Sequence, residues 1–370
     1  MSAWRRRSAF GFLSLAVVLL GCFRPSEQRA QRDLEVGKAS GAGASVVVEH
    51  GLAAVRGLTP GTIVLWGSAP TLLSDVRIEA GAPTTWTLEV RNAMPSAELV
   101  ATADGHELVP TPIESETSTR KRWQLELAPP TRLSLRVATP EADEQGRFRF
   151  AVLSDIQEAV DRVQDIFDRV DQEPDLAFVW TSGDLSDSGT AEQMDRIQQE
   201  LQQLEIPMFG TLGNHDTFHA PTPWHGRFGR CNTHFEYRGV AFTAIDSADG
   251  TVDPMVYDWL SAWLDAAKQR THVFVTHIPI LDPIGVRGGG FASRNEAAKL
   301  LSTLAEGRVD ATFYGHIHSF YAFENAGIPA YISGGGGAIP ERFDGVGRHF
   351  LVVEVDPVEG VTSVDRVDVD

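Results

Sequence analysis

The chain has 370 residues, more than a single domain on the usual prior of about 100–200 residues per domain. Hydrophobic residues make up 42% and charged residues 22%, a globular balance that argues against a fibrous or largely disordered chain. With 50 Asp and Glu against 32 Lys and Arg, the formal net charge is −18, which disfavours binding to nucleic acid or other polyanions.

The first residues show the basic and then apolar pattern of a signal peptide. Residues 5–7 are arginines, and the apolar run 9–20 is shorter than the ~20 residues that a membrane span needs. The run ends in Leu19-Leu20-Gly21-Cys22, which resembles the lipobox of bacterial lipoproteins. That resemblance implies removal of residues 1–21, lipidation of Cys22, and a place in the bacterial cell envelope, on its periplasmic or surface face. The alternative is an ordinary secretory signal.

The next segments are interpreted as a linker and an all-β module. Residues 22–44 are polar, without an apolar period, and are predicted to form a flexible tether. Residues 45–145 alternate apolar and polar side chains, as at Trp86, Leu88 and Val90, and Pro and Gly divide them into about seven strands. This pattern predicts an immunoglobulin-like sandwich domain, to which we assign no chemistry.

From residue 148 onward, apolar strands alternate with helices. The predicted strands cover 148–153, 176–180, 208–212, 272–276 and 311–314, and the helical stripes between them include Val256, Trp259, Leu260 and Trp263. Such alternation indicates an α/β domain with parallel pairing. We predict that this domain covers residues 146–358 and that 359–370 form a C-terminal tail.

Polar residues follow each of these strands. The segments are Ser154-Asp155-Ile156-Gln157, Gly183 to Gly189, Gly213-Asn214-His215-Asp216, His277-Ile278-Pro279 and Gly315-His316-Ile317-His318. Because the carboxyl ends of strands in an open α/β sheet line one crevice, these five segments are expected to converge. Imidazole, carboxylate and carboxamide ligands suit the borderline divalent ions Mn, Fe, Zn, Co and Ni.

Three of these segments resemble one known family. Gly-Asp-x-x-Asp-x-Gly at 183–189, Gly-Asn-His-Asp at 213–216 and Gly-His-x-His at 315–318 are similar to motifs of the calcineurin-like metallophosphoesterases. The resemblance covers roughly residues 147–355. It implies an α/β/β/α sandwich catalytic domain that hydrolyses a small phosphoester substrate, either a monoester or a diester, with two divalent transition-metal ions.

The resemblance also implies the roles of the site residues. Asp155 and His318 would bind the first metal, Asp184 would bridge the pair, and the second metal would be bound by Asn214, His277 and His316. A hydroxide bridging the metals would be the nucleophile. His215 would be the general acid for the leaving oxygen, oriented and charged by Asp187, because an adjacent carboxylate favours the imidazolium form.

One position departs from the family pattern. Family members usually carry His two residues after the first Asp, whereas this chain has Gln157. A carboxamide oxygen is neutral and a weaker donor than imidazole, so Gln157 would ligate the first metal either directly or through water. This departure supports one alternative function, a non-enzymatic binding lipoprotein with a degenerate metallophosphoesterase domain.

Overall fold

The structure, a computed structural model, describes residues 24–285 and 288–370. The predicted signal peptide, 1–21, and the predicted lipidation site, Cys22, lie outside the described residues and stay predictions. Among the helices of the described ranges, none combines the length and hydropathy needed to cross a membrane.

The start of the described chain is folded, so the prediction of a flexible tether over residues 22–44 is wrong for residues 25–41. Helix α1 (Pro25–Asp33) begins with a proline in its first turn, and strand β1 (Lys38–Gly41) follows it. The buried face of α1 has helical spacing, but it consists mainly of polar side chains: Ser26, Arg29, Ala30 and Asp33. Two of these side chains, Arg29 and Asp33, form hydrogen bonds with the second half of the chain, which holds the segment in place.

The Arg29 side chain joins α1 to that second half. Its Nε donates to Asp246 Oδ2 at 2.6 Å and its Nη2 donates to Asp246 Oδ1 at 3.2 Å, a bidentate pair. Nη2 also donates to Asp249 Oδ2 at 3.0 Å. The Arg29 and Asp246 side chains are only 6% and 2% exposed, so this ion pair is shielded from water.

Arg29→Met is therefore expected to destabilise the protein by about 3–5 kcal/mol, because it leaves the carboxylate of Asp246 buried without its partner. Urea denaturation followed by circular dichroism would measure the change. Lys38→Ala is the matched control, since the Lys38–Glu35 pair is largely exposed, and it should change stability by less than about 1 kcal/mol. Equal effects of the two substitutions would contradict a stabilising role for the docked helix.

Residues 38–138 form two β-sheets whose inward side chains belong to one hydrophobic cluster. The strands after β1 are β2 (Ala44–Val48), β3 (Ala53–Thr59), β4 (Thr62–Gly67), β5 (Leu72–Ile78), β6 (Thr85–Arg91), β7 (Glu98–Ala103), β8 (His106–Leu108), β9 (Thr111–Ile113), β10 (Lys121–Glu126) and β11 (Thr131–Ala138). The sheet orders are β1-β2-β5-β11-β7-β8 and β3-β4-β6-β10-β9. The segment predicted to hold about seven strands, 45–145, thus contains ten, β2 to β11, and β4 and β6 pair in parallel. An immunoglobulin-like topology stays a prediction.

The second half contains two further sheets. Their strands are β12 (Phe148–Val152), β13 (Leu176–Thr181), β14 (Met208–Gly210), β15 (Thr233–Tyr237), β16 (Val240–Ile245), β17 (His272–Thr276), β18 (Ala311–Tyr314), β19 (Phe320–Asn325), β20 (Ile328–Ser333), β21 (His349–Asp356) and β22 (Gly360–Asp368). One sheet has the order β14-β13-β12-β21-β22 and the other β15-β16-β17-β18-β20-β19. Because β22 pairs with β21 along its length, the prediction of a separate tail over 359–370 is wrong.

Four helices cover the outer faces of these two sheets. Helices α2 (Gln164–Asp171) and α3 (Ala191–Leu201) pack on the first sheet, and α4 (Pro254–Ala267) and α5 (Arg294–Glu306) pack on the second. Aromatic side chains fill the space between the sheets, with the rings of Phe150 and Phe242 5.3 Å apart in a T-shaped contact. The layers therefore run helix, sheet, sheet, helix.

The parallel strands of both sheets end at one edge of this layered domain. Strands β12, β13 and β14 run parallel in the first sheet, and β16, β17, β18 and β20 run parallel in the second. The N-terminal sheets contact this domain through Asn92, whose Nδ2 donates to Met208 O at 2.7 Å and whose Oδ1 accepts from Met208 N at 2.9 Å. The module thus braces β14, the strand that leads into the Asn214 loop.

Candidate metal centre

All seven side chains predicted as metal ligands lie together at this edge. Asp155 and Gln157 follow β12, and Asp184 follows β13. Asn214 follows β14, and the three histidines, His277, His316 and His318, come from the loops after β17 and β18. The two sheets thus contribute to one site from opposite sides, as the convergence of strand ends predicts.

The first group of side chains surrounds Asp155 and His318. His318 Nε2 lies 3.5 Å from Asp155 Oδ1 and 3.3 Å from Gln157 Nε2. Gln157 Nε2 also donates to Asp184 Oδ2 at 2.8 Å, and the Gln157 side chain is buried. Gln157 therefore occupies the first predicted site, with its carboxamide facing the shared carboxylate.

The second group surrounds the carboxamide oxygen of Asn214. His277 Nε2 lies 3.0 Å and His316 Nδ1 2.9 Å from Asn214 Oδ1. His277 Nε2 is also 3.3 Å from Asp184 Oδ2, so the same carboxylate oxygen faces both groups. One potential ligand atom from each of Asp155, Asp184 and His277 lies within 4.8 Å of the other two. These three atoms are close enough to bind one metal ion.

The backbone at the predicted ligands is conformationally unusual. Four of the predicted ligands have a positive φ, in the left-handed region that residues with a Cβ seldom adopt. The φ values are 61° at Asp155, 47° at Gln157, 52° at Asp184 and 69° at His316. Such conformations cost about 1–3 kcal/mol each and cluster at functional sites. Gly213 is required for a different reason, since a Cβ there would collide with the carboxylate of Asp184. The loops are therefore shaped to position ligands at the expense of stability.

Main-chain groups hold the imidazoles and carboxylates in place. His277 Nδ1 lies 2.9 Å from Ser182 O and His318 Nδ1 lies 2.8 Å from Ile339 O, so in each ring Nδ1 carries the hydrogen and Nε2 faces the site. The main-chain N–H of His316 donates to both oxygens of Asp155 at 3.1 Å. These contacts fix the tautomer and direction of the predicted ligands.

Asp216 is a structural residue of the site to which the sequence reasoning gave no role. It is fully buried and accepts hydrogen bonds from Leu185 N, Ser186 N, Ser186 Oγ and Gly213 N, at 2.7–3.3 Å. These bonds join the loop after β13 to the loop after β14. Burial and the nearby charge of Asp184 raise the pKa of Asp216 to about 6. In the sequence, the only indication of a role for Asp216 is its place as the last residue of the Gly-Asn-His-Asp segment.

The buried carboxylates make this region attractive to cations. Burial alone lowers the pKa of His277, but the charges of Asp184 and Asp155 outweigh it and raise that pKa to about 9. Burial and the charge of His277 lower the pKa of His316 to about 4. Burial opposes ionisation of Asp155, yet His318 and His277 hold the Asp155 pKa at about 2. Asp155 and Asp184 thus favour positive charge on His277, whereas burial and that charge disfavour it on His316.

The predicted general acid lies beside this centre. The main-chain N–H of His215 donates to Asp184 Oδ1 at 2.8 Å, and its ring packs on Phe218 with the centroids 4.5 Å apart. His215 Nδ1 lies 2.6 Å from the main-chain carbonyl of Asp187 but 3.8 Å from the carboxylate. Asp187 therefore orients His215 mainly through its backbone, which differs from the carboxylate contact that the sequence suggests.

A surface cleft gives access to the site. Its lining includes Gln157, His215, His318, Ile339, Arg342 and Phe343, together with the acidic residues Glu158, Asp187 and Glu341. Ile339 and Phe343 are exposed apolar side chains. The cleft therefore presents both polar groups and an apolar rim to whatever enters it.

Comparisons with known proteins agree on the second half of the chain. Residues 148–320 match the family model described as Calcineurin-like phosphoesterase. A probable cyclic nucleotide phosphodiesterase of Fibrobacter succinogenes is 26% identical over 153 residues, covering 39% of this chain and 59% of that protein. One of Synechococcus sp. is 27% identical over 179 residues, covering 42% and 69%.

A solved structure extends the likeness in fold. The purple acid phosphatase PPD1 from yellow lupin (Lupinus luteus) seeds has a TM-score of 0.52 and 13% identity, covering 82% of this chain and 71% of that one. At this identity the likeness concerns the fold alone. The chain matches 57–69% of the length of its curated relatives.

Proposed function

We propose that the second half of the chain is a calcineurin-like phosphoesterase domain and works as a metal-dependent phosphoester hydrolase. The observation that carries the proposal is the meeting of two ligand groups at one carboxylate oxygen, Asp184 Oδ2, with His215 directly alongside. A domain kept for binding alone needs neither the paired ligand groups nor a histidine beside them.

The residues present fit two divalent ions. Asp155, Gln157 and His318 would hold the first, the second would be held by Asn214, His277 and His316, and Asp184 would serve both. The donor set of imidazole nitrogens, carboxylates and carboxamides suits Mn, Fe, Zn, Co or Ni. When bound, such a pair supplies Lewis-acid activation of water and charge stabilisation for an in-line displacement at phosphorus.

The chain's own contribution to proton transfer comes from His215. Because its Nδ1–H donates to the carbonyl oxygen of Asp187, the ring is held with Nε2 free to carry the proton that the leaving oxygen needs. The contact with Phe218 limits rotation of the ring. This geometry supports a role for His215 as general acid, a role that accelerates ester cleavage most when the leaving group is a poor one.

The substrate we propose is an organic phosphoester. The curated relatives are named as probable cyclic nucleotide phosphodiesterases, and the apolar rim formed by Ile339 and Phe343 can pack against the organic part of an ester. Arg342, in the same lining, offers a guanidinium for phosphate oxygens. Cyclic nucleotides are therefore the first diesters to test, beside simple monoesters.

The test is a matrix of metals and substrates. Purified full-length protein is stripped with a chelator and reloaded with Mn²⁺, Zn²⁺, Fe²⁺, Co²⁺ or Ni²⁺. It is then assayed with p-nitrophenyl phosphate, bis(p-nitrophenyl) phosphate and 3′,5′-cyclic AMP. Turnover that depends on metal and exceeds that of an Asp184→Asn control supports the proposal. Absence of turnover under every metal would favour the degenerate, non-enzymatic alternative.

Gln157→His is expected to strengthen binding at the first site by about tenfold or more, since imidazole is the better donor. Histidine tolerates the left-handed backbone at this position, where φ is 47°. The measurement is the Mn²⁺ concentration for half-maximal activity, which should fall in Gln157→His and rise in Gln157→Ala. If neither variant shifts that concentration, Gln157 does not face a metal.

A further inference from the structure

A second cluster of metal-ligating side chains lies where α1 meets the phosphoesterase domain. Asp33 Oδ1, His225 Nε2 and Cys231 Sγ all lie within 4.8 Å of one another, and Asp33 and Cys231 are buried. None of the three belongs to the centre around Asp184. The cluster joins the last residue of α1 to the connection between β14 and β15.

The spacing within this cluster is that of ligands around one small ion. His225 Nε2 lies 3.2 Å from Asp33 Oδ1 and 3.4 Å from Cys231 Sγ. Tetrahedral zinc with the usual bond lengths separates an oxygen from a nitrogen ligand by about 3.3 Å and a sulfur from a nitrogen ligand by about 3.6 Å. The spacing of the three atoms suits one ion, and ligation would require His225 Nε2 to give up its contact with Arg29 O, which lies 3.1 Å away.

Asp33 has the surroundings of a ligand carboxylate. Its Oδ1 accepts from Cys231 N at 2.8 Å, and its Oδ2 accepts from Asn232 N and Asn232 Nδ2 at 3.0 and 2.8 Å. Such hydrogen bonds orient ligating carboxylates. Within residues 24–285 and 288–370 its only salt-bridge partner is His225, and the Arg230 guanidinium is a further positive charge near it. The nearby Arg29 is already paired with Asp246 and Asp249.

We propose that Asp33, His225 and Cys231 form a third metal site, which binds Zn²⁺ or a similar borderline ion and fastens α1 to the phosphoesterase domain. A thiolate, an imidazole and a carboxylate are the donors that zinc prefers, and the Cys231 thiol releases its proton to solvent on binding. His225 borders a surface cleft with Arg32, Glu35 and Thr222, which admits the ion and a water as fourth ligand.

The experiment uses Co²⁺ as a spectroscopic probe on chelator-treated full-length protein. Thiolate ligation gives a near-ultraviolet charge-transfer band, which the Asp184 centre cannot produce because its predicted ligands include no cysteine. The wild type should develop this band with one equivalent of Co²⁺ per chain. Cys231→Ser should lose the band and bind one ion fewer while still hydrolysing phosphoesters. His225→Gln should weaken Co²⁺ binding by about tenfold or more.

Two controls separate this site from the rest of the protein. Cys22→Ser should keep the band, which excludes the other cysteine of the chain. Asp184→Asn should also keep it while losing activity, so failure of the phosphoesterase proposal would leave the third site standing. A wild type without the band in excess Co²⁺ would overturn the proposal, and so would Cys231→Ser with an unchanged band and metal content. A wild-type spectrum without the band would overturn the proposal even if a variant fails to fold, and a band that persists in Cys22→Ser assigns it to Cys231.

Discussion

Asp184→Asn is expected to lower kcat/KM by on the order of a thousandfold and to reduce the metal content of the purified protein. The substitution keeps the shape of the side chain and an oxygen that can accept from the main-chain N–H of His215, as Asp184 does at 2.8 Å. It removes the negative charge that both ligand groups share. Lewis-acid stabilisation contributes several kcal/mol, and each 1.36 kcal/mol corresponds to tenfold in rate.

Metal analysis and steady-state kinetics with bis(p-nitrophenyl) phosphate would check this expectation. Asp161→Asn is the matched control, because Asp161 is an exposed carboxylate in the same domain, and it should retain metal and activity. Thermal unfolding would show that the Asp184→Asn protein is folded. A folded variant with both ions and full activity would mean that Asp184 does not link two metals.

The convergence of the candidate ligands could be predicted from the sequence because each polar segment comes directly after a predicted strand. The predicted strands 272–276 and 311–314 coincide with β17 and β18, and both run parallel. A polar loop that follows a buried parallel strand has to emerge at the shared edge. The positions of His277, His316 and His318 were therefore foreseeable once the strands were recognised.

The supporting contacts of the site could not be predicted in the same way. His318 Nδ1 lies against the carbonyl of Ile339, and His215 Nδ1 lies against the carbonyl of Asp187 rather than its carboxylate. Every residue has a main-chain carbonyl, so the side-chain pattern of the sequence does not indicate which carbonyl accepts a hydrogen bond from a given histidine ring. Asp216 was visible in the sequence, but its role depends on three main-chain N–H groups from two loops.

Helix α1 was missed because its buried face is polar. Apolar periodicity is the main signal of a packed helix, and α1 instead buries Arg29 and Asp33 at helical spacing. Their partners, Asp246 and Asn232, lie about two hundred residues along the chain. Burial of hydrogen-bonded charged groups therefore replaces burial of apolar surface in α1, and the sequence of the helix does not indicate which distant residues are its partners.

His215→Ala is expected to lower turnover by about 10²- to 10⁴-fold for esters with poor leaving groups, while leaving the metal content unchanged. His215 contacts the centre through its main-chain N–H, which alanine retains, and its ring is absent from both ligand groups. His215→Ala should therefore remove the proton donor without reducing the binding of metal ions. Metal analysis of the purified variant distinguishes these two outcomes.

The choice of substrate makes this prediction specific to general-acid catalysis. A nitrophenolate leaves readily as an anion, whereas the ribose oxygen of a cyclic nucleotide needs a proton as it departs. The His215→Ala loss should therefore be much larger with 3′,5′-cyclic AMP than with bis(p-nitrophenyl) phosphate. His219→Ala, which removes an exposed histidine four residues away, should affect neither substrate. Equal losses on both substrates would mean that His215 positions the ester and does not protonate it.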